Sequence, residues 1–207
     1  KGAHVMTRTK TPVVFMHIGK NGGSTLWQMF KTIFGAENVY LVSSRPLSYS
    51  DNGAKLRAAL DHLPHEGLRI MGGHVLFMPQ YAQAYPHITM LRDPIERHLS
   101  LYYFALRIPH HPYHTMFNDA NMSIEKALPL LHDNGHIRYL VTGFDRPVTR
   151  ADLEQAKVYL EHQFAAFGIL ERYNESLMLF KRTFDWPTPH YFIKHVAQNK
   201  PKQIADE

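Results

Sequence analysis

Near its start the sequence places a lysine, two adjacent glycines and two hydroxyls in one run, Lys20-Asn21-Gly22-Gly23-Ser24-Thr25. Before that run stands Val13-Val14-Phe15-Met16-His17-Ile18, with the β-branched and aromatic composition of a buried strand. After it come Leu26, Trp27, Met29, Phe30 and Ile33, the apolar face of a helix opening at Ser24-Thr25. A strand, a glycine loop and a helix N-terminus form a geometry that holds phosphate or sulfate. Gly22 and Gly23 let the backbone approach an anion without a Cβ in the way. First-turn N–H groups, the two hydroxyls and the helix dipole favour it, and Lys20 adds a full charge. A Walker A loop sets its lysine directly before Ser/Thr, whereas Lys20 precedes both glycines. From these residues alone, a tight βα turn with a solvated lysine remains the alternative.

Two further polar residues follow apolar strand-like runs. His74 comes after Leu68–Met71 and Gly72-Gly73, and Arg92 comes after His87–Leu91. Arg92 precedes Asp93-Pro94, an N-cap followed by proline at the first helical position, and Ser100 lies two turns into that helix. A guanidinium and a hydroxyl so placed can hold a second phosphate. Alternatively, Arg92 pairs with Asp93 or Glu96 while Ser100 packs.

The elements that must position these groups alternate. Strands are expected at 13–18, 38–42, 68–71, 87–91 and 164–170. Helices are expected at 24–34, 54–63, 94–107, 149–162 and 171–184, with short ones near 79–84, 123–131 and 135–141. Stretches 43–53 and 108–122 read as loops, and the tail from Trp186 as a loop packed on the body. Such alternation indicates an α/β fold, a P-loop-like parallel sheet flanked by helices in a single domain. Ligands in these sheets bind beyond the strands' carboxyl ends, where Lys20, His74 and Arg92 converge. Residues 1–10 are expected to be a disordered N-terminus or an expression remnant, and 11–207 the functional domain.

The 207 residues carry a formal charge of +5, fifteen histidines and no cysteine, with 44% hydrophobic residues. This suits a globular chain with anionic ligands. It excludes disulfides and zinc–thiolate sites. No apolar run reaches the roughly 18 residues of a membrane span, and no recognition-helix signature or aromatic-interleaved basic stripe points to nucleic acid. His110, His111 and His114 lack a carboxylate spaced to complete a metal site, and a sugar-facing loop suits them better. His17 reads as a core or loop-supporting histidine, and Glu96 and Arg97 as helix-bracing charges. Trp27 reads as packing, and Trp186 as packing or a sugar platform. Arg57, Arg69, Arg107 and Lys194 are unranked candidates for gripping an acidic acceptor.

The run Phe15 to Thr25 resembles the 5′-phosphosulfate loop of carbohydrate sulfotransferases, and Leu91-Arg92-Asp93-Pro94-Ile95-Glu96-Arg97-His98-Leu99-Ser100 resembles their 3′-phosphate motif. The nearest resemblance is to the heparan-sulfate uronosyl 2-O-sulfotransferases and their bacterial relatives. Gly73-His74-Val75 resembles that group's catalytic-histidine segment. Ile137-Arg138-Tyr139-Leu140 with Gly143, and Phe167 to Glu171, resemble its later segments more loosely. The resemblance spans about Thr11 to Lys202.

It implies a donor, 3′-phosphoadenosine-5′-phosphosulfate, and a hydroxyl acceptor on a saccharide, acidic ones included. Lys20, Asn21, Gly22, Gly23, Ser24 and Thr25 would hold the 5′-phosphosulfate, and Arg92 and Ser100 the 3′-phosphate. Arg138 and Lys200 would add nucleotide contacts, the latter in a closing loop Asn199–Lys202 that could equally be a solvated tail. Lys20 and His74 would be catalytic, His74 as the base. No metal, nucleic acid or membrane partner is implied, and the oligomeric state stays open. A soluble cytoplasmic enzyme of bacterial type is expected, or a Golgi-lumen one if an anchor has been removed. Gly19 and Asn21 depart from the family's usual Pro and Thr/Ser. The alternatives are a P-loop-type kinase or nucleotidase, and a non-catalytic nucleotide- or polyanion-binding module.

Overall fold

The structure, a computed structural model, describes residues 11–43 and 48–189. The expectations for residues 1–10, Lys194 and Lys200 lie outside those residues. Strand β1 (Val13–Met16) leads through the lysine loop into helix α1 (Gly23–Phe34), and β2 (Val39–Val42) follows. Helix α2 (Tyr49–His62), β3 (Ile70–Gly73) and β4 (His87–Leu91) come next. Helix α3 (Pro94–Arg107) then leads into three short helices, α4 (His114–Asp119), α5 (Ile124–Ala127) and α6 (Gly135–Ile137). A π-helical segment over Arg138–Thr142, α7 (Arg150–His162), β5 (Phe164–Ile169) and α8 (Tyr173–Phe184) complete the order.

The five strands form one parallel sheet in the order β2-β3-β1-β4-β5. Central β1 is buried along its length and feeds two cores. Val13 and Phe15 face Leu26, Phe30, Leu177 and Phe180 of α1 and α8. Val14 and Met16 face Leu56, Leu60, Tyr139 and Phe164 on the other side. The parallel sheet therefore reads as a continuous apolar run, because both its faces are covered. The crossovers place β1 between β3 and β4, at the switch point, and in such sheets ligands bind beyond the carboxyl ends there.

Three expected boundaries move. Strand β3 continues through Gly72, whose Cβ, were there one, would stand 2.1 Å from the Phe15 carbonyl oxygen, so glycine lets β1 and β3 close up. Helix α2 begins at Tyr49 and takes in half of the expected 43–53 loop. Its Ser48 cap accepts the Asp51 N–H at 3.1 Å, and buried Asn52 and Leu56 supply an inward face that the polar composition hid. The expected 108–122 loop contains α4, held because Phe117 is buried against Tyr102 and Tyr113. The Thr149 cap of α7 forms the reciprocal capping box with Asp152.

Candidate functional site

The lysine loop turns on two left-handed residues, Lys20 (φ 72°) and Gly22 (φ 77°). Gly22 is the N-cap of α1, with no side-chain cap and no acidic residue in the first turn. The N–H groups of Gly23 and Ser24 thus keep their donor capacity, while those of Thr25 and Leu26 donate to the Gly22 carbonyl at 3.1 and 3.3 Å. Asn21 is buried, and its amide N–H₂ donates to the Met90 carbonyl at 2.7 Å and contacts His136 Nε2 at 2.9 Å. Its side chain ties the loop to the end of β4 and to α6, and its backbone N–H donates to the Ile18 carbonyl at 3.4 Å.

Lys20 makes no ion pair among the described residues. Its Nζ lies 3.8 Å from the Phe104 ring centroid. Burial, with Arg107, Arg92 and Arg97 near it, lowers its pKa from the usual 10.5 to about 8. Four cations thus share one region in which, among the described residues, only Arg92 has carboxylate partners, a positive excess that favours an incoming anion.

Arg92 is only partly accessible. Its Nη1 donates to the Lys20 carbonyl at 3.0 Å and its Nη2 to Glu96 at 3.2 Å, while Glu171 stands 3.9 Å from Nε. Of the two readings of Arg92, the pairing with Glu96 is the one seen, and the guanidinium also reaches the backbone of the lysine loop. Asp93 caps α3 by accepting the Glu96 N–H at 2.9 Å. Ser100 lies on α3 two turns further along, half-buried.

His74 follows β3 directly. Its Nδ1 lies 2.9 Å from the His17 main-chain oxygen, and its ring stacks on that of His17 with centroids 4.1 Å apart. Asn52 donates to the His74 carbonyl at 3.0 Å. Burial lowers the His74 pKa below 6.5, opposed by the bond to His17. Next to it, a Cβ on Gly19 would stand 3.8 Å from both His74 Cε1 and the Tyr139 hydroxyl. Tyr139 donates to the Tyr49 hydroxyl at 2.9 Å.

Arg97, expected to brace α3, is 6% exposed and forms no ion pair among the described residues. Its Nε donates to the Gly19 carbonyl at 3.1 Å, and its Nη1 is buried without a hydrogen-bond partner. Burial lowers its pKa, while Tyr139 and Tyr49 oppose the shift.

Lys20, Arg92, His74 and the α1 N-terminus therefore converge on one edge of the sheet. Arg138 does not join them. Its guanidinium donates to the Asp133 carboxylate at 2.6 Å, to the Asp133 carbonyl at 2.8 Å and to the Arg146 carbonyl at 2.9 Å, bracing the turns around α6. Trp186 is packing, stacked on Phe184 at 4.8 Å and edge-on to Phe30. His111 and His114 fold α4 back toward α3, with His114 Nδ1 2.9 Å from the Ala105 carbonyl. The described residues hold no group of three or more His, Cys, Asp or Glu positioned for a metal, and no helix among them is long and apolar enough to cross a membrane. His17, Tyr49, Asn52, Arg97 and Tyr139 were not separable from core or loop residues in the sequence, since each contributes through contacts that span the sheet.

No protein-family model and no curated protein matches the chain. Among solved structures it is similar to the mouse sulfotransferase SULT7A1 complexed with PAP, with a TM-score of 0.54 and 14% identity. The match covers 85% of this chain and 58% of that one, so this chain spans little more than half the length of that structure. The chain thus has the sulfotransferase fold, an α/β domain with a five-stranded parallel sheet flanked by helices.

Proposed function

We propose that this chain is a sulfotransferase, with residues 11–207 as its domain. It would move a sulfuryl group from 3′-phosphoadenosine-5′-phosphosulfate to a saccharide hydroxyl, with His74 as general base. One observation carries the reading: the uncapped N-terminus of α1, Lys20 and Arg92 share one edge of the sheet with His74. The PAP bound by the structurally similar mouse enzyme supports the same donor site.

Each residue's part follows from its chemistry. The α1 amides, Ser24, Thr25 and Lys20 would hold the 5′-phosphosulfate, where charge grows on the leaving phosphate oxygen as the S–O bond breaks; preorganised donors there stabilise the transition state. Arg92 and Ser100 would hold the 3′-phosphate, which requires Arg92 to exchange Glu96 for phosphate oxygens. His74 Nε2 would take the proton of the acceptor hydroxyl as the new O–S bond forms. Arg138 and Lys200 remain proposed nucleotide contacts, Arg138 only if it releases Asp133.

Calorimetric titration of adenosine 3′,5′-bisphosphate, with ATP and 5′-AMP as controls, tests this. Binding that requires the 3′-phosphate, and that weakens by roughly 1.5–3 kcal/mol in Arg92→Ala, is the expected result. A preference for ATP, or no nucleotide binding, overturns it.

A further inference from the structure

The roles just assigned leave the His17 side chain unused. It is 8% exposed, and burial, with His74 and Lys20 nearby, keeps its pKa well below 6.5, so the ring is neutral. Trp27 Nε1, which can only donate, stands 3.3 Å from His17 Nδ1. A neutral imidazole that accepts at Nδ1 carries its proton on Nε2. The ring lies stacked against Phe15 on one side and His74 on the other, at 5.6 and 4.1 Å between centroids, so it is held in orientation. No hydrogen bond joins Nε2 to a described residue, and the residue keeps 8% of its surface exposed.

Gly23 shows where that N–H lies. A Cβ on Gly23 would stand 2.0 Å from His17 Cδ2 and 2.1 Å from Nε2. Helical Cα–Cβ bonds tilt toward the helix N-terminus. His17 Nε2 therefore occupies the N-terminal side of the first turn of α1, the side toward which the uncapped amides point. We propose that the His17 Nε2–H is a hydrogen-bond donor to the anion held by the Lys20–Thr25 loop, complementing the α1 amides and Lys20. The identity of that anion as a phosphosulfate rests on the function proposed above; the donor role requires only that the loop binds an oxyanion. Gly23 then has a specific cause: any side chain there would displace the donor.

Proton-detected nitrogen-15 spectra of the imidazoles test this directly. In the free protein His17 should show the Nε2–H tautomer. On saturation with adenosine 3′,5′-bisphosphate, and separately with inorganic phosphate, its Nε2 proton should move downfield and exchange more slowly. His17→Asn keeps an acceptor for Trp27 but has no group at the Nε2 position, and should weaken anion binding about tenfold. His17→Gln carries an amide N–H₂ toward that position and should recover most of the affinity. An unmoved Nε2 proton at saturation, or wild-type affinity in His17→Asn, overturns the proposal. Should both variants fail to fold, judged by thermal melting and the near-ultraviolet signal of Trp27, the wild-type spectra decide. If phosphate moves the proton but the bisphosphate does not bind, the donor role stands and the nucleotide reading falls. If neither anion moves it, the donor role falls whatever the nucleotide affinity.

Discussion

The Nδ1 of His74 stands 2.9 Å from the main-chain oxygen of His17. A carbonyl only accepts, so Nδ1 carries the proton and Nε2 keeps its lone pair, the tautomer a general base requires. The backbone of the β1 exit thus sets the protonation of a side chain on the β3 exit, while Asn52 of α2 pins the His74 main chain.

A two-sided pH profile follows. The neutral form of His74 is the base, and its pKa is below 6.5, so turnover should fall only when the pH drops below that value. The charged form of Lys20 holds the anion and is lost near pH 8, so nucleotide affinity should weaken above about 8. His74→Gln should lower kcat by roughly 10²–10⁴-fold and abolish the acidic limb. The dissociation constant for adenosine 3′,5′-bisphosphate should stay unchanged. Steady-state rates and calorimetry across pH separate the two limbs; a variant that retains turnover removes His74 from the chemistry.

Arg92 is held by Glu96 at 3.2 Å. Glu96→Gln should therefore tighten the bisphosphate modestly, by the roughly 0.2–1 kcal/mol of a partly exposed ion pair. The effect should shrink as salt screens the pair. Titration at two ionic strengths checks both, and weaker binding in Glu96→Gln would mean that the carboxylate orients Arg92 instead of competing for it.

Much of this site was legible because its determinants are local. The lysine loop, the Asp93-Pro94 start of α3 and the polar ends of β1, β3 and β4 are each written within a few consecutive residues. The long-range features were not. Asn52 looks like a loop residue until α2 brings it to the His74 carbonyl, and Asn21 looks like a ligand contact until Met90 is seen to accept its amide proton at 2.7 Å. Arg97 carries the spacing of an α3 brace, yet it points to the Gly19 carbonyl and finds no carboxylate among the described residues.

Gly23 and His17 are coupled sterically. In Gly23→Ala the new Cβ meets the His17 ring at 2.0 Å, and the ring or the helix start must shift, at about 1–3 kcal/mol of overpacking. His17→Ala alone should be destabilising because it leaves a cavity between Phe15 and His74. The double variant should be more stable than the sum of the single changes predicts, by at least about 0.5 kcal/mol. Urea unfolding of the four proteins measures the coupling, and strict additivity would mean that the two side chains do not meet.

Arg97 is a buried cation paired with no acid among the described residues, and such a group opposes folding unless hydrogen bonds offset its desolvation. Its Nε has the Gly19 carbonyl, while its Nη1 has no partner. Arg97→Met fills similar space without the charge and should leave the melting temperature unchanged or raise it, because the relieved desolvation offsets the lost charged bond to Gly19, worth roughly 1.5–3 kcal/mol. Arg97 is also one of the cations that lower the Lys20 pKa, so its removal should move the basic limb of nucleotide affinity above about 8. A variant that melts lower and leaves that limb in place would identify Arg97 as a brace of α3. A variant that holds its stability while the limb moves would place Arg97 in the field that prepares Lys20 for an anion.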